Sequence, residues 1–218
     1  MLKAIFMDFY GTAAYEIGPI AIEVITKIYK SSNANSMEEI TEYWWRTFRE
    51  RLSHFNGENF RTQHDVALEN FQNLLKHFCS DENPAELLRR MEEHWRTTPI
   101  YDDVKPFMDH VPYPVYFVTN SDDDYVFSAV KNHALSPAGV ITSEQAKYSK
   151  PRKEIFQYAL KKTNLKSNEV IHVGDSLTSD VECPSSIGIK AIWLNRENKE
   201  VPTGVTSATE LKKVLELI

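Results

Sequence analysis

Asp8 is the residue of this chain whose type and position most clearly suggest covalent chemistry. It follows the short apolar stretch of residues 3–7, and Gly11 and Thr12 come soon after it. A buried strand that ends in an aspartate places that side chain in the crevice where open parallel sheets bind ligands. A carboxylate in such a crevice can act as a nucleophile and form a covalent intermediate. The sequence therefore predicts a nucleophile at Asp8.

Three later stretches carry polar residues that complement Asp8, in the order in which a parallel sheet would bring strand ends together. They are Thr119-Asn120-Ser121, Ser149-Lys150-Pro151, and Gly174-Asp175-Ser176 with Asp180 following. Phosphoryl transfer spreads negative charge over three oxygens, so its site needs a nucleophile, positive charge and oriented hydrogen-bond donors. These residue types supply all three.

Together with Asp8-Phe9-Tyr10-Gly11-Thr12, these stretches resemble the four motifs of the haloacid dehalogenase (HAD) superfamily of hydrolases, most of whose members are magnesium phosphatases. The resemblance covers roughly residues 1–14 and 98–195. It implies a Rossmann-like α/β core with a helical cap inserted after the first strand. One position departs from the family pattern, because the phosphatases usually carry a second aspartate where this chain has Tyr10.

The resemblance gives the motif residues their expected roles. Asp8 would attack phosphorus and form an aspartyl-phosphate. Lys150 would keep Asp8 ionised and neutralise the phosphoryl group. Thr12, Thr119 and Asn120 would bind the substrate by donating hydrogen bonds to the transferring oxygens.

A divalent cation is expected at the same site. Asp8, Asp175 and Asp180 bring three negative charges and Lys150 brings one positive charge, which leaves an excess of two negative charges. Hard oxygen ligands completed by water suit Mg²⁺. The resemblance implies that the carboxylates of Asp8 and Asp175 and the backbone carbonyl of Tyr10 bind the ion, while Asp180 orients water on it.

Tyr10 leaves two reactions open. The missing aspartate normally protonates the leaving oxygen and then activates water, which is worth roughly 10²- to 10⁴-fold in rate. Tyrosine, with an unperturbed pKa of about 10, is a poor base at neutral pH. The chain is predicted to be a Mg²⁺-dependent phosphatase for a small phosphorylated metabolite, or alternatively a metal-independent 2-haloacid dehalogenase with Asp8 as nucleophile. The superfamily's dehalogenases carry the same Asp-x-Tyr-Gly-Thr pattern, and halide leaves without a proton.

Other residues weigh on this choice. The dehalogenases lack the arrangement of Asp175 and Asp180, which would repel a substrate carboxylate in the absence of a metal. Trp45-Arg46 resembles the dehalogenase cap segment that bears a substrate-binding arginine, so Arg46 is a candidate substrate ligand, with a solvated helix face as the alternative. Phosphonate cleavage through a Schiff base ranks lower, because Trp44–Leu52 contains no lysine. A non-catalytic relative also ranks lower, because most motif residues are present.

Short apolar runs predict the strands that position these residues. They fall at about 3–8, 114–118, 139–142, 169–173 and 190–194, with helical periodicity between most of them. This alternation predicts an α/β fold with a parallel five-stranded sheet and helices on both faces. Residues 1–14 and 98–218 are predicted to form this core.

Residues 15–97 interrupt the alternation with four apolar stripes at helical spacing and no convincing strand. They are predicted to form an all-helical cap. In the core, Ser121 is expected to cap a helix, and the acids at 122–124 are expected to complement the helix dipole rather than to bind a metal.

Composition narrows the class of partner. The chain has 218 residues, 42% of them apolar, and a net charge of −6 without a basic block, so a small-molecule substrate is expected rather than nucleic acid or an anionic membrane. Cys79 and Cys183 are far apart and predict neither a disulfide framework nor a zinc site. No apolar run approaches about 18 residues, so a cytoplasmic location is expected. The oligomeric state and the identity of the substrate stay open.

Overall fold

The computed structural model describes residues 1–218, and a parallel sheet forms the centre of its larger part. Six strands lie in the order β3-β2-β1-β4-β5-β6. They are β1 (Ala4–Met7), β2 (Val115–Thr119), β3 (Gly139–Thr142), β4 (Val170–Gly174), β5 (Lys190–Leu194) and β6 (Ser207–Ala208). The α/β prediction is confirmed, but the predicted count of five strands is wrong. The sixth strand has two residues, too few to form an apolar run that a sequence pattern could reveal.

β1 occupies the middle of the sheet, and all four of its residues are buried. Phe6 pairs with Tyr116 of β2 on one side and with His172 of β4 on the other. Because side chains alternate along a strand, Ile5 and Met7 join one apolar cluster while Ala4 and Phe6 join another. Burial on both faces explains why β1 reads as a continuous apolar run.

Four helices fill most of the chain between residues 19 and 97, and no strand lies between them. They are α1 (Pro19–Lys30), α2 (Met37–His54), α3 (Gln63–His77) and α4 (Pro84–Thr97), with a 3-10 turn at Gly57–Asn59. Their large apolar side chains pack into a cluster of their own, which includes Trp44, Phe48, Phe71 and Trp95. We call these helices the cap; its boundaries at residues 15 and 97 stay a prediction.

Local sequence explains where the cap helices begin. The side chains of Ser36, Thr62 and Asn83 accept hydrogen bonds from backbone N–H groups in the first turns of α2, α3 and α4. Such capping satisfies donors that the helix itself leaves unpaired. Pro19 and Pro84 stand in the first turns of α1 and α4, where a missing N–H costs nothing.

The remaining helices belong to the core around the sheet. They are α5 (Val104–His110), α6 (Asp123–Asn132), α7 (Ser143–Ala146), α8 (Glu154–Thr163), α9 (Cys183–Ser185) and α10 (Leu211–Val214), with a 3-10 turn at Ser167–Glu169 and a π-helix at Leu177–Glu182 directly before α9. No helix of the structure has both the length and the apolar character that a membrane crossing requires.

The cap lies against loops that follow the carboxyl ends of β2 and β3. The carboxylate of Asp122, after β2, accepts hydrogen bonds from the N–H groups of Gln63 (2.7 Å) and His64 (2.9 Å) at the start of α3. Beyond β3, the Ser149 N–H donates to the Asn56 side chain at 2.7 Å. The cap therefore covers the edge of the sheet at which Asp8 emerges.

Candidate active site

Asp8 follows β1 at the point where the chain changes direction across the sheet. From β1 the chain builds β2 and β3 on one side, then returns to place β4, β5 and β6 on the other. Ligands of open α/β sheets bind at such a switch point, outside the carboxyl ends of the strands. Asp8 and Asp175, which follow the adjacent strands β1 and β4, both lie there.

Lys150 links two of the predicted site carboxylates. Its ammonium lies 2.7 Å from Oδ1 of Asp8 and 2.6 Å from Oδ1 of Asp180, and all three side chains are buried. Burial raises the pKa of Asp8 to about 6 even though Lys150 opposes the shift. Burial would by itself lower the pKa of Lys150, but Asp180 and Asp8 outweigh it and raise that pKa. Lys150 is therefore a fixed positive charge behind the predicted nucleophile.

Asp180 is held on every side by the protein. Besides Lys150, its Oδ1 lies 2.9 Å from Nε2 of His172, and its Oδ2 accepts a hydrogen bond from the N–H of Ser176 at 3.1 Å. Burial acts to raise the pKa of Asp180, but Lys150 and His172 outweigh it and hold that pKa well below its usual range. A Cβ atom on Gly174 would lie 2.3 Å from Cγ of Asp180, so only glycine fits there.

Asp175 lies beside the loop that follows β1. Its Oδ1 accepts a hydrogen bond from the Thr12 hydroxyl at 2.9 Å, and its backbone carbonyl accepts one from the Trp193 indole at 2.8 Å. Burial, together with the charge of Asp8, raises the pKa of Asp175 well above its usual value. Gly11 adopts a φ of +87°, and a Cβ atom on it would lie 2.6 Å from Oδ1 of Asp175. The loop therefore needs glycine both for its backbone conformation and for the space that Asp175 occupies.

The donor set suits a hard divalent cation. Asp8, Asp175 and Asp180 each offer a carboxylate oxygen, and these oxygens lie within 4.8 Å of one another. Because Asp180 is already bonded through both oxygens, Asp8 and Asp175 are the carboxylates best placed to bind the ion. Burial is the main cause of the raised pKa values of these two residues, and the neighbouring carboxylates raise them further. Oxygen ligands and excess negative charge are what Mg²⁺ requires. The carbonyl of Tyr10 and the side chain of Asp180 stay predicted participants.

Thr119 and Asn120, the predicted substrate donors at the end of β2, differ in whether their side chains form hydrogen bonds within the protein. The Thr119 side chain is buried and takes part in none of the side-chain hydrogen bonds of the chain. The Asn120 side chain, in contrast, donates to the Lys150 carbonyl at 2.9 Å and accepts from the Lys150 N–H at 2.6 Å. Asn120 therefore fixes the backbone that carries Lys150. Its predicted role as a substrate donor stays a prediction, which would fall to the second hydrogen of the side-chain amide.

Tyr10 points toward the junction between core and cap. Its hydroxyl donates to the backbone carbonyl of Trp95, at the end of α4, at 2.7 Å. Its ring packs edge-on against Phe9 at 4.9 Å between centroids and touches the apolar clusters of both the core and the cap. Burial raises the pKa of Tyr10 above its usual value. The Tyr10 side chain is thus a structural link and leaves the position of the usual acid without a proton donor.

Comparison with known proteins identifies the family. The family model of haloacid dehalogenase-like hydrolases matches residues 2–188 of the chain. The protein belongs to this family. It is 24% identical over 186 residues to YfnB of Bacillus subtilis (strain 168), a protein named as a HAD-hydrolase, with 82% of this chain and 75% of YfnB aligned.

Shorter stretches of the chain match a nucleotidase and a phosphatase. The chain is 31% identical over 99 residues to the pyrimidine 5'-nucleotidase YjjG of Escherichia coli (strain K12), covering 42% of this chain and 44% of that enzyme. It is 37% identical over 87 residues to the glyceraldehyde 3-phosphate phosphatase of Pyrococcus furiosus, covering 36% of this chain and 35% of that enzyme. These matches support a hydrolase and leave its substrate open.

Solved structures share the HAD fold over almost the whole chain. The L-2-haloacid dehalogenase RSc1362 superimposes with a TM-score of 0.81 at 13% identity, covering 99% of this chain and 98% of the dehalogenase. Magnesium-bound YfnB superimposes with a TM-score of 0.78 at 19% identity, again covering 99% and 98%. At such low identity these likenesses establish the fold alone.

Arg46, the predicted cap arginine, is not brought to the HAD motif residues. It is exposed, and its guanidinium carbon lies 5.3 Å from the ring centroid of Tyr43 on the same helix. It lines an outer groove together with six other residues of α2 between Glu39 and Arg49, and with His77 and Phe78. Its role in substrate binding stays a prediction. Arg49, one turn further along α2, is the arginine whose charge acts on a carboxyl near the site, that of Glu16.

The expectation that Ser121 caps a helix is wrong. Asp122 is the residue that precedes α6, and the Ser121 hydroxyl donates to the Asp122 carbonyl at 3.1 Å. The acids at 122–124 do not converge on a metal position. Asp122 caps α3, Asp123 accepts from Thr142 and Gln145, and Asp124 pairs with Arg96.

For two residues, His172 and Glu16, nothing in the sequence indicates a role near the HAD motifs. His172 lies inside β4, fully buried, where its apolar neighbours hide its contact with Asp180. Glu16 follows the Thr12 loop as a single acid among mostly apolar residues, eight positions after Asp8. Only the folded structure shows that both act on the cluster around Lys150.

Proposed function

We propose that this hydrolase is a Mg²⁺-dependent phosphatase that acts on a small phosphorylated metabolite through an aspartyl-phosphate at Asp8. The observation that carries the proposal is the set of three carboxylates whose oxygens lie within 4.8 Å, balanced by Lys150 alone. Such a site accepts an anionic phosphate only with a cation present. The phosphatase relatives and the magnesium-bound YfnB support the same reading.

Each residue of the site has its own role in the first step of the proposed reaction, the attack of Asp8 on phosphorus. Asp8 supplies the attacking oxygen, and Lys150 keeps it ionised and offsets the charge of the phosphoryl group. Asp180, which also contacts His172, holds the Lys150 ammonium in place, and Asn120 fixes the Lys150 backbone. Thr12 orients Asp175, and the Thr119 hydroxyl is free to donate to a phosphoryl oxygen. Mg²⁺, held by Asp8 and Asp175, would supply charge neutralisation at the phosphoryl oxygens.

The second candidate is a metal-independent 2-haloacid dehalogenase that uses Asp8 as its nucleophile. The Asp-x-Tyr-Gly-Thr pattern and the fold shared with haloacid dehalogenases speak for it. Against it stands the electrostatics of the site, because Asp175 and Asp180 would repel the carboxylate of a haloacid that arrives without a cation. The lysine that contacts Asp8 is Lys150 of the core, so no cap lysine supports phosphonate cleavage through a Schiff base. A non-catalytic role would not explain why Asp8 and Lys150 form a buried ion pair.

Replacement of Asp8 tests the covalent mechanism. Asp8→Asn should abolish hydrolysis of an aryl phosphate in Mg²⁺, because the amide cannot attack phosphorus. Asp102→Asn, which changes an exposed aspartate, should keep full activity. Circular dichroism must show that the Asp8→Asn variant is folded, since it loses the contact with Lys150. Turnover in the folded variant would contradict the proposal, and halide release from a 2-haloacid in excess chelator would establish the dehalogenase.

A further inference from the structure

The proposed phosphatase reaction needs a proton donor that Tyr10 does not supply. An alkoxide is a poor leaving group, and proton donation to it is worth roughly 10²- to 10⁴-fold in rate. The Tyr10 hydroxyl is bonded to the Trp95 carbonyl, so it already has a partner outside the cleft. A donor must therefore come from another element that reaches the space between cap and core.

Glu16 lies on the segment that leads from the loop after β1, which carries Thr12, into α1. The backbone around it is fixed on both sides. His94 of α4 contacts the Glu16 carbonyl through Nε2 at 3.1 Å, and the Thr98 hydroxyl donates to the Tyr15 carbonyl at 2.8 Å. The N–H of Tyr15 also donates to the Pro99 carbonyl at 2.9 Å. Glu16 is therefore held where the cap meets the core.

The Glu16 carboxyl has no hydrogen-bond or ion-pair partner within the chain, and neither of its oxygens is sealed from solvent. Its side chain lines a mostly apolar cavity between the cap helices, together with Ala21, Trp44 and Trp45. A half-buried carboxylate without a partner is costly to keep charged, which favours its protonated form.

Charges from both domains act on this carboxyl. The positive charge of Arg49 on α2 acts on it, as do the charges of Asp8, Lys150 and Asp180 in the core. In return, the charge of Glu16 acts on Asp175 and on Tyr101, so its carboxyl is electrostatically linked to the motif residues. Burial, with the carboxylates of Asp8 and Asp180, raises the pKa of Glu16 to about 7 against Arg49 and Lys150.

We propose that Glu16 is the general acid and base of this site, in place of the aspartate that the chain lacks at position 10. The inference rests on the proposed phosphatase function. In the first step an Asp8 oxygen bonds to phosphorus, the bond from phosphorus to the leaving oxygen breaks, and Glu16 gives its proton to that oxygen. The products are the alcohol, the aspartyl-phosphate and the Glu16 carboxylate.

The second step restores both residues. Water attacks the phosphorus of the aspartyl-phosphate and gives a proton to the Glu16 carboxylate. The bond between phosphorus and the Asp8 oxygen breaks, and its electron pair returns to Asp8. Inorganic phosphate leaves, and Glu16 is again protonated.

The test compares Glu16→Gln with the wild-type enzyme on a series of aryl phosphates and one alkyl phosphate. The kcat/KM of the wild type for the alkyl phosphate should fall as pH rises through about 7, because the first step needs protonated Glu16. Glu16→Gln should lose that dependence and lower alkyl phosphate turnover by on the order of 10²-fold. The matched control is Glu42→Gln, which changes an exposed acid of α2 and should behave as wild type.

An activated aryl phosphate separates the two steps. Its leaving group needs no proton, so Glu16→Gln should release about one equivalent of aryl alcohol in a rapid burst and then stall at the aspartyl-phosphate, for want of a base. Should Glu16→Gln fold poorly, Glu16→Ala with added formate replaces it, and formate should restore turnover. A substrate-binding or structural role for Glu16 would change KM or stability without a burst, a changed leaving-group dependence or rescue.

The outcomes keep the two proposals apart. A wild-type enzyme that hydrolyses phosphates through Asp8, with a Glu16→Gln variant of unchanged leaving-group dependence, overturns the role of Glu16 alone. A wild-type enzyme with no activity on any phosphate overturns both proposals.

Discussion

At the scale of single residues, the space around Asp175 decides which residue the loop after β1 can carry. Gly11 and Gly204 both have positive φ, +87° and +84°, but only Gly11 faces a neighbour, the carboxylate of Asp175. Both positions favour glycine because a Cβ atom is strained in that region of the backbone. A comparison of the two therefore separates backbone strain from displacement of Asp175.

Replacement of the two glycines by alanine tests this difference. Gly204→Ala should cost about 1–3 kcal/mol of unfolding free energy from strain alone and keep phosphatase activity. Gly11→Ala should add the clash with Asp175, so that Mg²⁺ binds more weakly and activity is lost. Chemical denaturation and Mg²⁺ titration measure the two effects. Equal activity in the two variants would show that Asp175 has room to move.

At the scale of elements, α3 of the cap begins on a carboxylate of the core. The Asp122 carboxylate accepts hydrogen bonds from the N–H groups of Gln63 and His64. The Thr62 hydroxyl, which lies next to α3 in the chain, accepts one from the N–H of Asp65. The first turn of α3 is thus stabilised by one neighbouring residue and by one residue of the loop after β2. Burial raises the pKa of Asp122 to about 6, so the carboxylate is ionised at pH 8.

At pH 8 both Asp122→Ala and Thr62→Ala should lower the unfolding free energy by about 1–2 kcal/mol, the usual cost of a lost cap. Only Asp122→Ala should also weaken the contact between the cap and the core, because Asp122 belongs to the core and Thr62 to the cap. Hydrogen exchange should then become faster at the start of α3 and in the loop of residues 119–122 together, while Thr62→Ala affects α3 alone. Identical exchange in the two variants would count against Asp122 as a link between domains.

At the scale of the whole molecule, the excess negative charge of the site predicts that Mg²⁺ stabilises the fold. A ligand at 100 times its dissociation constant adds about 2.7 kcal/mol, which corresponds to a rise in Tm of about 5–10 °C for a chain of this size. Asp175→Asn should remove most of the rise, and chelator should abolish both the rise and the activity. Calorimetry with and without Mg²⁺ measures it. An unchanged Tm in saturating Mg²⁺ would favour the dehalogenase alternative.

The sequence by itself determined the parallel sheet and the strand ends that carry Asp8, Thr119 and Asp175. Apolar runs reveal buried strands locally, and parallel strands bring their carboxyl ends to one edge, so these residues had to converge. Helical periodicity likewise revealed the helices between residues 19 and 97. A strand of two residues, β6, was beyond any such pattern.

Only the tertiary structure decided how the side chains at that edge pair. Tyr10 turns to Trp95, 85 positions away, and Asp122 caps a helix that begins 59 positions earlier, because the cap folds back onto the core. No local periodicity encodes such contacts. Glu16 shows the same limit most clearly. The sequence shows that residue 16 is an acid, but the electrostatic link of Glu16 to Arg49 and to the residues around Lys150 depends on how the cap packs on the core.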